Sequence, residues 1–116
     1  MEVAGSNPAV PTRLREGEST VRLAEFQELM RRTYLERDEL RGSDASFRRL
    51  VEEVGELART LRHDDGAARD EEFGDVLAWL ASLANQSGVD LEAAAARYQD
   101  GCPKCDAIPC VCPFGP

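Results

Sequence analysis

Residues 50–61 read LVEEVGELARTL, and this stretch sets the helical character of the chain. Glu52, Glu53 and Glu56 crowd into it beside apolar residues that recur at steps of three and four, the spacing of one buried helix face. At about 100° per residue, Glu53 and Glu56 share a face next to the apolar one. The stretch predicts a helix over residues 47–62 with paired carboxylates beside its buried side. That apolar side would consist of Phe47, Leu50, Val54, Leu57 and Leu61.

The same periodicity continues on both sides of this helix. It predicts further helices over residues 23–40 and 71–87, and a short fourth helix in LEAAAARYQ. No strand alternation, internal repeat or Gly-rich phosphate loop is present, so the predicted fold class is all-α. The expected breaks are Gly42 with Ser43, Asp44 or Ser46 as caps, Gly66 with an aspartate cap, Gly88 in the left-handed conformation, and Asp90 as the cap of the fourth helix.

Length and charge limit the class of protein. The chain has 116 residues, enough for one domain, which we expect to comprise a disordered leader (1–20), a helical domain (21–100) and a Cys-rich tail (101–116). A formal charge of −8 argues against a nucleic acid polymer as partner, although a divalent cation can bridge carboxylates to a small phosphorylated ligand. No apolar run is long enough to cross a bilayer and no signal peptide opens the chain, so we expect a cytoplasmic protein without a membrane partner.

A second acidic pair matches the first. Glu72 and Asp75, three residues apart, flank the apolar face of the helix predicted over residues 71–87. If the two helices pack antiparallel, both pairs meet at one edge of the interface, where four carboxylates would repel each other unless a cation lies among them. Mg²⁺ prefers such oxygen ligands and keeps positions for water and phosphate. The alternative is that these acids are simply solvated, as acids on helix surfaces often are.

The two acidic motifs also carry a family resemblance. EEVGE (52–56) followed by EFGD (72–75) resembles the EExxE…ExxD signature of MazG-type nucleoside triphosphate pyrophosphohydrolases, an all-α superfamily, and the similarity extends over about residues 23–98. The resemblance implies hydrolysis of nucleoside triphosphates to the monophosphate and pyrophosphate by attack of water at the α-phosphorus. It also implies a helical bundle completed by a homodimer or homotetramer, which suits helices too short to cover their own apolar faces.

The resemblance assigns roles to the acidic residues. Mg²⁺, with Mn²⁺ as an alternative, would be bound by Glu53, Glu56, Glu72 and Asp75, while Glu52 would orient or deprotonate the attacking water. A bound metal neutralises phosphate charge and lowers the pKa of water, which is the help that this chemistry needs.

The triphosphate also calls for basic side chains. We predict Arg69 and Arg97 as phosphate contacts and Phe47 as a residue that stacks on the base. Ion pairs with nearby acids are an equal alternative for both arginines. Core packing is an equal alternative for Phe47, and it is favoured for Trp79.

All four cysteines lie in the tail, GCPKCDAIPCVCPF. CPKC has the CxxC spacing of zinc knuckles, and Cys102, Cys105, Cys110 and Cys112 together predict a structural Zn²⁺ site with no position open for catalysis. Reversible disulfides or a free, mobile tail are the alternatives.

Two other functions remain open on the sequence. One is a non-catalytic helical adaptor whose zinc tail binds a partner protein, and the other is a phosphoribosyl-ATP pyrophosphohydrolase-like activity on a similar helical metal site. The five acids at the motif positions favour the nucleoside triphosphate pyrophosphohydrolase, because an adaptor has no need of them.

Overall fold

A computed structural model describes residues 21–113 of the chain. Its helices are α1 (Leu23–Arg41), α2 (Ser43–Arg62), α3 (Gly66–Ser87) and the short α4 (Leu91–Ala95), which continues into a 3₁₀ turn, Ala96–Tyr98. No strand occurs over this range, so the all-α prediction is confirmed. The predicted disordered leader, 1–20, and the last three residues of the tail, 114–116, lie outside the described residues. None of the described helices is both long and apolar enough to span a membrane.

Helix α3 is the centre of the bundle. Both α1 and α2 pack on it and touch each other much less. The side chains that this packing buries on α3 are small, namely Ala81, Ser82 and Ala84, so the neighbouring backbones approach closely. Gln27 of α1 fixes one end of this arrangement, since its amide donates to Asn85 Oδ1 (3.0 Å) on α3 and accepts from the Leu91 N–H (2.8 Å) at the start of α4.

The start of α2 differs from the prediction. Gly42 alone separates α1 from α2, because its φ of +90° lets the chain turn within one residue. Helix α2 therefore begins at Ser43, four residues before the predicted start at Phe47. Ser46, one of the predicted caps, is instead fully buried within the helix.

The other helix ends follow the predicted chemistry more closely. Asp65 caps α3 by accepting from the Ala68 N–H at 3.1 Å, so α3 begins at Gly66 and not at the predicted residue 71. Gly88 adopts the left-handed conformation (φ 70°, ψ 29°) as predicted. Asp90 caps α4 by accepting from the Ala93 N–H at 3.1 Å, also as predicted.

The buried face of α2 is shifted from the predicted one. The side chains that pack toward α3 belong to the stripe Ser46, Leu50, Glu53 and Leu57, none of which is exposed. The neighbouring stripe of Phe47, Val51, Val54 and Leu61 is about half exposed, and so is the stripe of Phe73, Leu77 and Leu80 on α3. The prediction merged two faces of α2 into one. These two apolar stripes, one on α2 and one on α3, consequently have no full cover within residues 21–113.

Candidate metal centre

Three carboxylates from two helices form the candidate centre. Oxygens of Glu53 on α2 and of Glu72 and Asp75 on α3 all lie within 4.8 Å of one another. The side chain of Glu53 is only 16% exposed because it belongs to the face that packs on α3. Glu72 and Asp75 share a face of α3 because they are three residues apart. The packing of α2 on α3 thus brings together three of the four acids that the sequence predicts as magnesium ligands.

Electrostatics make this cluster unfavourable without a cation. Burial raises the pKa of Glu72, and the neighbouring charges of Glu53, Asp75 and Glu56 raise it further. Oε2 of Glu72 is buried and has no hydrogen-bond partner among the described residues. An unpartnered buried oxygen facing two more carboxylates fits a hard divalent cation, which takes oxygen ligands and offsets the repulsion.

The two other acids of the motif lie at the edge of the cluster. Glu56, the fourth predicted ligand, is outside the group of three; its side chain is half exposed and lies 4.0 Å from the Arg59 guanidinium. Glu52, the predicted catalytic residue, is exposed and accepts a hydrogen bond from Arg49 Nη1 at 2.6 Å. Arg49 also comes within 3.9 Å of Glu53, so this arginine connects Glu52 to the cluster.

A cleft between α1 and α3 opens beside the carboxylates. Asp75 belongs both to the cluster and to the lining of this cleft. Trp79 forms one wall, with the Arg41 guanidinium 4.8 Å from its ring centre and that of Arg49 at 5.3 Å. The sequence favours core packing for Trp79, and its side chain is partly buried, but its ring faces two cations. The lining consists of Tyr34, Arg37, Asp38, Arg41, Asp75, Ala78, Trp79 and Ser82.

Asp38 is the functional candidate that the sequence reasoning missed. It is a charged residue with only 1% exposure, and its Oδ1 accepts from Arg41 Nη1 at 2.6 Å. Its Oδ2 is buried without a partner among residues 21–113. The sequence pattern that could have identified Asp38 is its spacing from Tyr34 and Arg41. This spacing places three polar or aromatic residues on one face of α1.

The predicted substrate contacts lie away from this cleft. Arg69 donates from Nη2 to the His63 carbonyl at 3.3 Å and so ties α3 to the end of α2. Arg97 is exposed and stacks on Tyr98, 5.2 Å from its ring centre. Phe47 lies on the exposed apolar stripe of α2. None of the three lines the cleft, where Arg37 and Arg41 supply the positive charge.

The cysteines form a second, separate cluster in the tail. One sulfur from each of Cys102, Cys105, Cys110 and Cys112 lies within 4.8 Å of the others, and all four are free thiols. Backbone N–H groups of Lys104 and Cys105 lower the pKa of Cys102 to about 6. The surrounding thiols, Cys110 first, raise the pKa of Cys112 to about 12.

Comparison with known proteins places the helices that carry the acidic cluster in a family. Residues 41–104, more than half of the chain, match the MazG nucleotide pyrophosphohydrolase domain. The chain is also similar to the uncharacterized protein YpjD of Bacillus subtilis (strain 168), with 42% identity over 60 residues that cover 43% of this chain and 54% of YpjD. The chain thus spans about half the length of this relative. The matched range contains α2 and α3 with all five motif acids, and on this basis the chain belongs to the MazG nucleotide pyrophosphohydrolase domain family.

Proposed function

We propose that this protein is a divalent-cation-dependent nucleotide pyrophosphohydrolase that converts nucleoside triphosphates to the monophosphate and pyrophosphate. The observation that carries the proposal is the cluster of Glu53, Glu72 and Asp75 at the mouth of a cleft that holds Trp79 and Arg41. Membership of the MazG family supports the reaction type. The carboxylates alone would repel a triphosphate, so the proposal requires a cation between protein and substrate.

The carboxylates of Glu53, Glu72 and Asp75 would hold the cation, Mg²⁺ by preference and Mn²⁺ as an alternative. When bound, such an ion neutralises phosphate charge, polarises the P–O bond and lowers the pKa of water. Glu56 is close enough for its charge to raise the pKa of Glu72, so it can support the site without joining the group of three.

The cleft residues would bind and orient the substrate. Arg37 and Arg41 offer guanidinium groups for phosphate oxygens, which they can contact bidentately. The Trp79 ring would stack on the base in place of the Arg49 guanidinium that lies over it, because aromatic rings stack on bases of any kind. Asp38 holds Arg41 by its 2.6 Å hydrogen bond and thereby fixes the direction of this guanidinium.

The chemical step would use water as the nucleophile. Its oxygen attacks the α-phosphorus, the bond from the α-phosphorus to the bridging oxygen breaks, and pyrophosphate leaves with that oxygen. Glu52 is the proposed acceptor of the proton from water, since it is exposed and Arg49 connects it to Glu53. Positioning and electrostatics account for most of the catalysis in reactions of this type.

Self-association completes the proposal. The uncovered stripes on α2 and α3 carry seven large apolar side chains between 38% and 61% exposed: Phe47, Val51, Val54, Leu61, Phe73, Leu77 and Leu80. A second copy presents the same stripes, so a two-fold contact would bury both sets at once. We therefore propose a homodimer, or a homotetramer built from it.

The test is pyrophosphate release from a panel of ribo- and deoxynucleoside triphosphates, with Mg²⁺ and with EDTA. Glu72→Gln removes one ligand charge, and Glu71→Gln is the matched control because Glu71 is the exposed preceding residue of the same helix. We expect Mg²⁺-dependent release that is lost in Glu72→Gln and kept in Glu71→Gln. Absence of release from every substrate of the panel by the folded protein would favour the non-catalytic adaptor.

A further inference from the structure

The four cysteine sulfurs of the tail all lie within 4.8 Å of one another. Cys102 Sγ lies 3.7 Å from Cys112 Sγ, and Cys105 Sγ lies 3.9 Å from Cys110 Sγ. Four sulfurs around one Zn²⁺ at about 2.3 Å are separated by about 3.8 Å along each edge of the tetrahedron. A disulfide would require about 2.05 Å. We propose that Cys102, Cys105, Cys110 and Cys112 bind one Zn²⁺ as a tetrathiolate site that folds residues 101–113 into a module distinct from the acidic centre.

The backbone of the tail is folded around the sulfurs. The Cys102 N–H donates to the Ala107 carbonyl at 3.1 Å, and the Asp106 N–H donates to the Cys102 carbonyl at 2.6 Å, which closes the turn between the first two cysteines. Gly101, at φ +110°, allows this closure, because a Cβ there would lie 2.7 Å from the Ala107 oxygen. These backbone contacts therefore turn the chain back toward Cys102 before the second half of the cysteine motif begins.

Backbone amides also point at the sulfurs themselves. The Val111 N–H donates to Cys105 Sγ at 3.4 Å, and the Cys112 N–H donates to Cys110 Sγ at 3.3 Å. Such donors orient metal-binding side chains and offset the negative charge of thiolates. A tetrathiolate site needs this help, because four thiolates carry more negative charge than one Zn²⁺ neutralises.

Hydrophobic burial does not hold the tail together. Ile108 is 79% exposed and Val111 is 70% exposed, and no residue from 101 to 113 is buried. A segment this short cannot form a core of its own, so a structural metal is the usual substitute. With four protein ligands the ion has no open position, so its role is to fold the tail and not to catalyse a reaction.

The two metal sites differ in the ions they select. Thiolates are soft ligands that select Zn²⁺ over Mg²⁺, whereas the carboxylates of α2 and α3 suit hard cations. Zinc binding by the tail can therefore be measured in the presence of excess Mg²⁺. The result does not depend on whether the protein has the proposed hydrolase activity.

The test is the metal content of the full chain, purified under reducing conditions without chelator from zinc-supplemented cells and dialysed against Mg²⁺. We expect one zinc per chain by elemental mass spectrometry, lowered at least tenfold in Cys105→Ser. Lys104→Ala, a change at the neighbouring residue, should keep the zinc, and Glu72→Gln should keep it because the acidic centre is not involved. Thermal unfolding of Cys105→Ser should match the wild type, which separates loss of zinc from loss of the helical fold.

Cobalt and thiol measurements complete the test. Co²⁺ in place of zinc should give the intense visible bands of tetrahedral thiolate coordination, and these bands should be absent in Cys105→Ser. The four thiols should react slowly with a thiol reagent until a strong chelator is added. A protein without zinc, zinc that survives Cys105→Ser but not Glu72→Gln, iron in its place, or two disulfides in the reduced preparation would each overturn the proposal.

Discussion

Replacing Glu72 by glutamine keeps the size of the side chain and removes its charge from the carboxylate cluster. In the cation-free protein, this charge is disfavoured by burial and by the carboxylates of Glu53 and Asp75, as the raised pKa of Glu72 indicates. The glutamine amide could also donate to either neighbour, whereas Glu72 Oε2 has no partner among the described residues. We therefore expect the cation-free Glu72→Gln variant to unfold at a higher temperature than the wild type.

The cation should reverse this order. At a Mg²⁺ concentration 100 times its Kd, binding adds about 2.7 kcal/mol to the free energy of unfolding. For a domain of this size, that corresponds to a rise in Tm of about 11–22 °C. Loss of one of the three ligands should weaken Mg²⁺ binding by about 100-fold. This is the upper end of the loss in metal affinity caused by replacing residues that only hydrogen-bond to a metal ligand. At the same concentration, Mg²⁺ would then add only about 0.4 kcal/mol, or about 2–3 °C.

The assay is thermal unfolding followed by circular dichroism, with a Mg²⁺ titration of the wild type and of both Glu72→Gln and Glu71→Gln. The control should behave like the wild type at every concentration, since Glu71 is exposed and outside the cluster. A Glu72→Gln variant that is less stable than the wild type without cation and still responds fully to Mg²⁺ would show that Glu72 is neither a destabilising buried charge nor a ligand of the cation.

Four further results are expected. First, the folded-state pKa of Glu72 lies above its ordinary value of 4.5. The ionised side chain therefore lowers the free energy of unfolding by its full amount above the folded-state pKa, and this loss disappears below pH 4.5. The excess stability of cation-free Glu72→Gln should therefore be present at neutral pH and vanish in unfolding experiments below pH 4.5; a constant excess would contradict this. Second, Ser46→Ala should leave the free energy of urea unfolding unchanged or raise it by up to about 1 kcal/mol, because the fully buried Ser46 hydroxyl has no hydrogen-bond partner among the described residues. A loss above about 1 kcal/mol would show that the hydroxyl is bonded. Third, Val54→Glu places a charge on the uncovered stripe and should convert an oligomer to monomer in light scattering, whereas Arg48→Glu on the exposed surface of the same helix should not. Equal masses for wild type and Val54→Glu would argue against the proposed interface. Fourth, Trp79 is the only tryptophan of the chain, so nucleotide binding should change the intrinsic fluorescence; unchanged emission at saturating nucleotide would place the substrate elsewhere.

The helices and the centre of the acidic site could be predicted because both depend on local periodicity. The three-residue spacing of Glu72 and Asp75 fixes their common face before any packing is known. Glu53 is closer to the core than predicted, since the face of α2 that packs on α3 runs through Ser46 and Leu50. Periodicity alone cannot assign a broad apolar surface to a neighbour in the same chain or in a second copy, and this is why Val54 and Leu61 were assigned to the buried face of α2.

The cleft could not be predicted because it depends on tertiary packing. Asp38 and Arg41 belong to α1, and they meet Trp79 of α3 only when these two helices pack. On the sequence alone, an aspartate and an arginine three residues apart look like an ordinary surface ion pair. The near-complete burial of Asp38 is the property that sets this pair apart, and it depends on the packed structure.

The fate of the water oxygen shows which phosphorus is attacked and whether water is the nucleophile. The substrate that releases most pyrophosphate should be turned over with Mg²⁺ in H₂¹⁸O, and both products should be analysed by mass spectrometry. We expect one ¹⁸O in the nucleoside monophosphate, none in pyrophosphate, and no labelled product from Glu72→Gln. Label in pyrophosphate, or labelled monophosphate formed equally well by Glu72→Gln, would contradict attack at the α-phosphorus by water acting at the cluster of Glu53, Glu72 and Asp75.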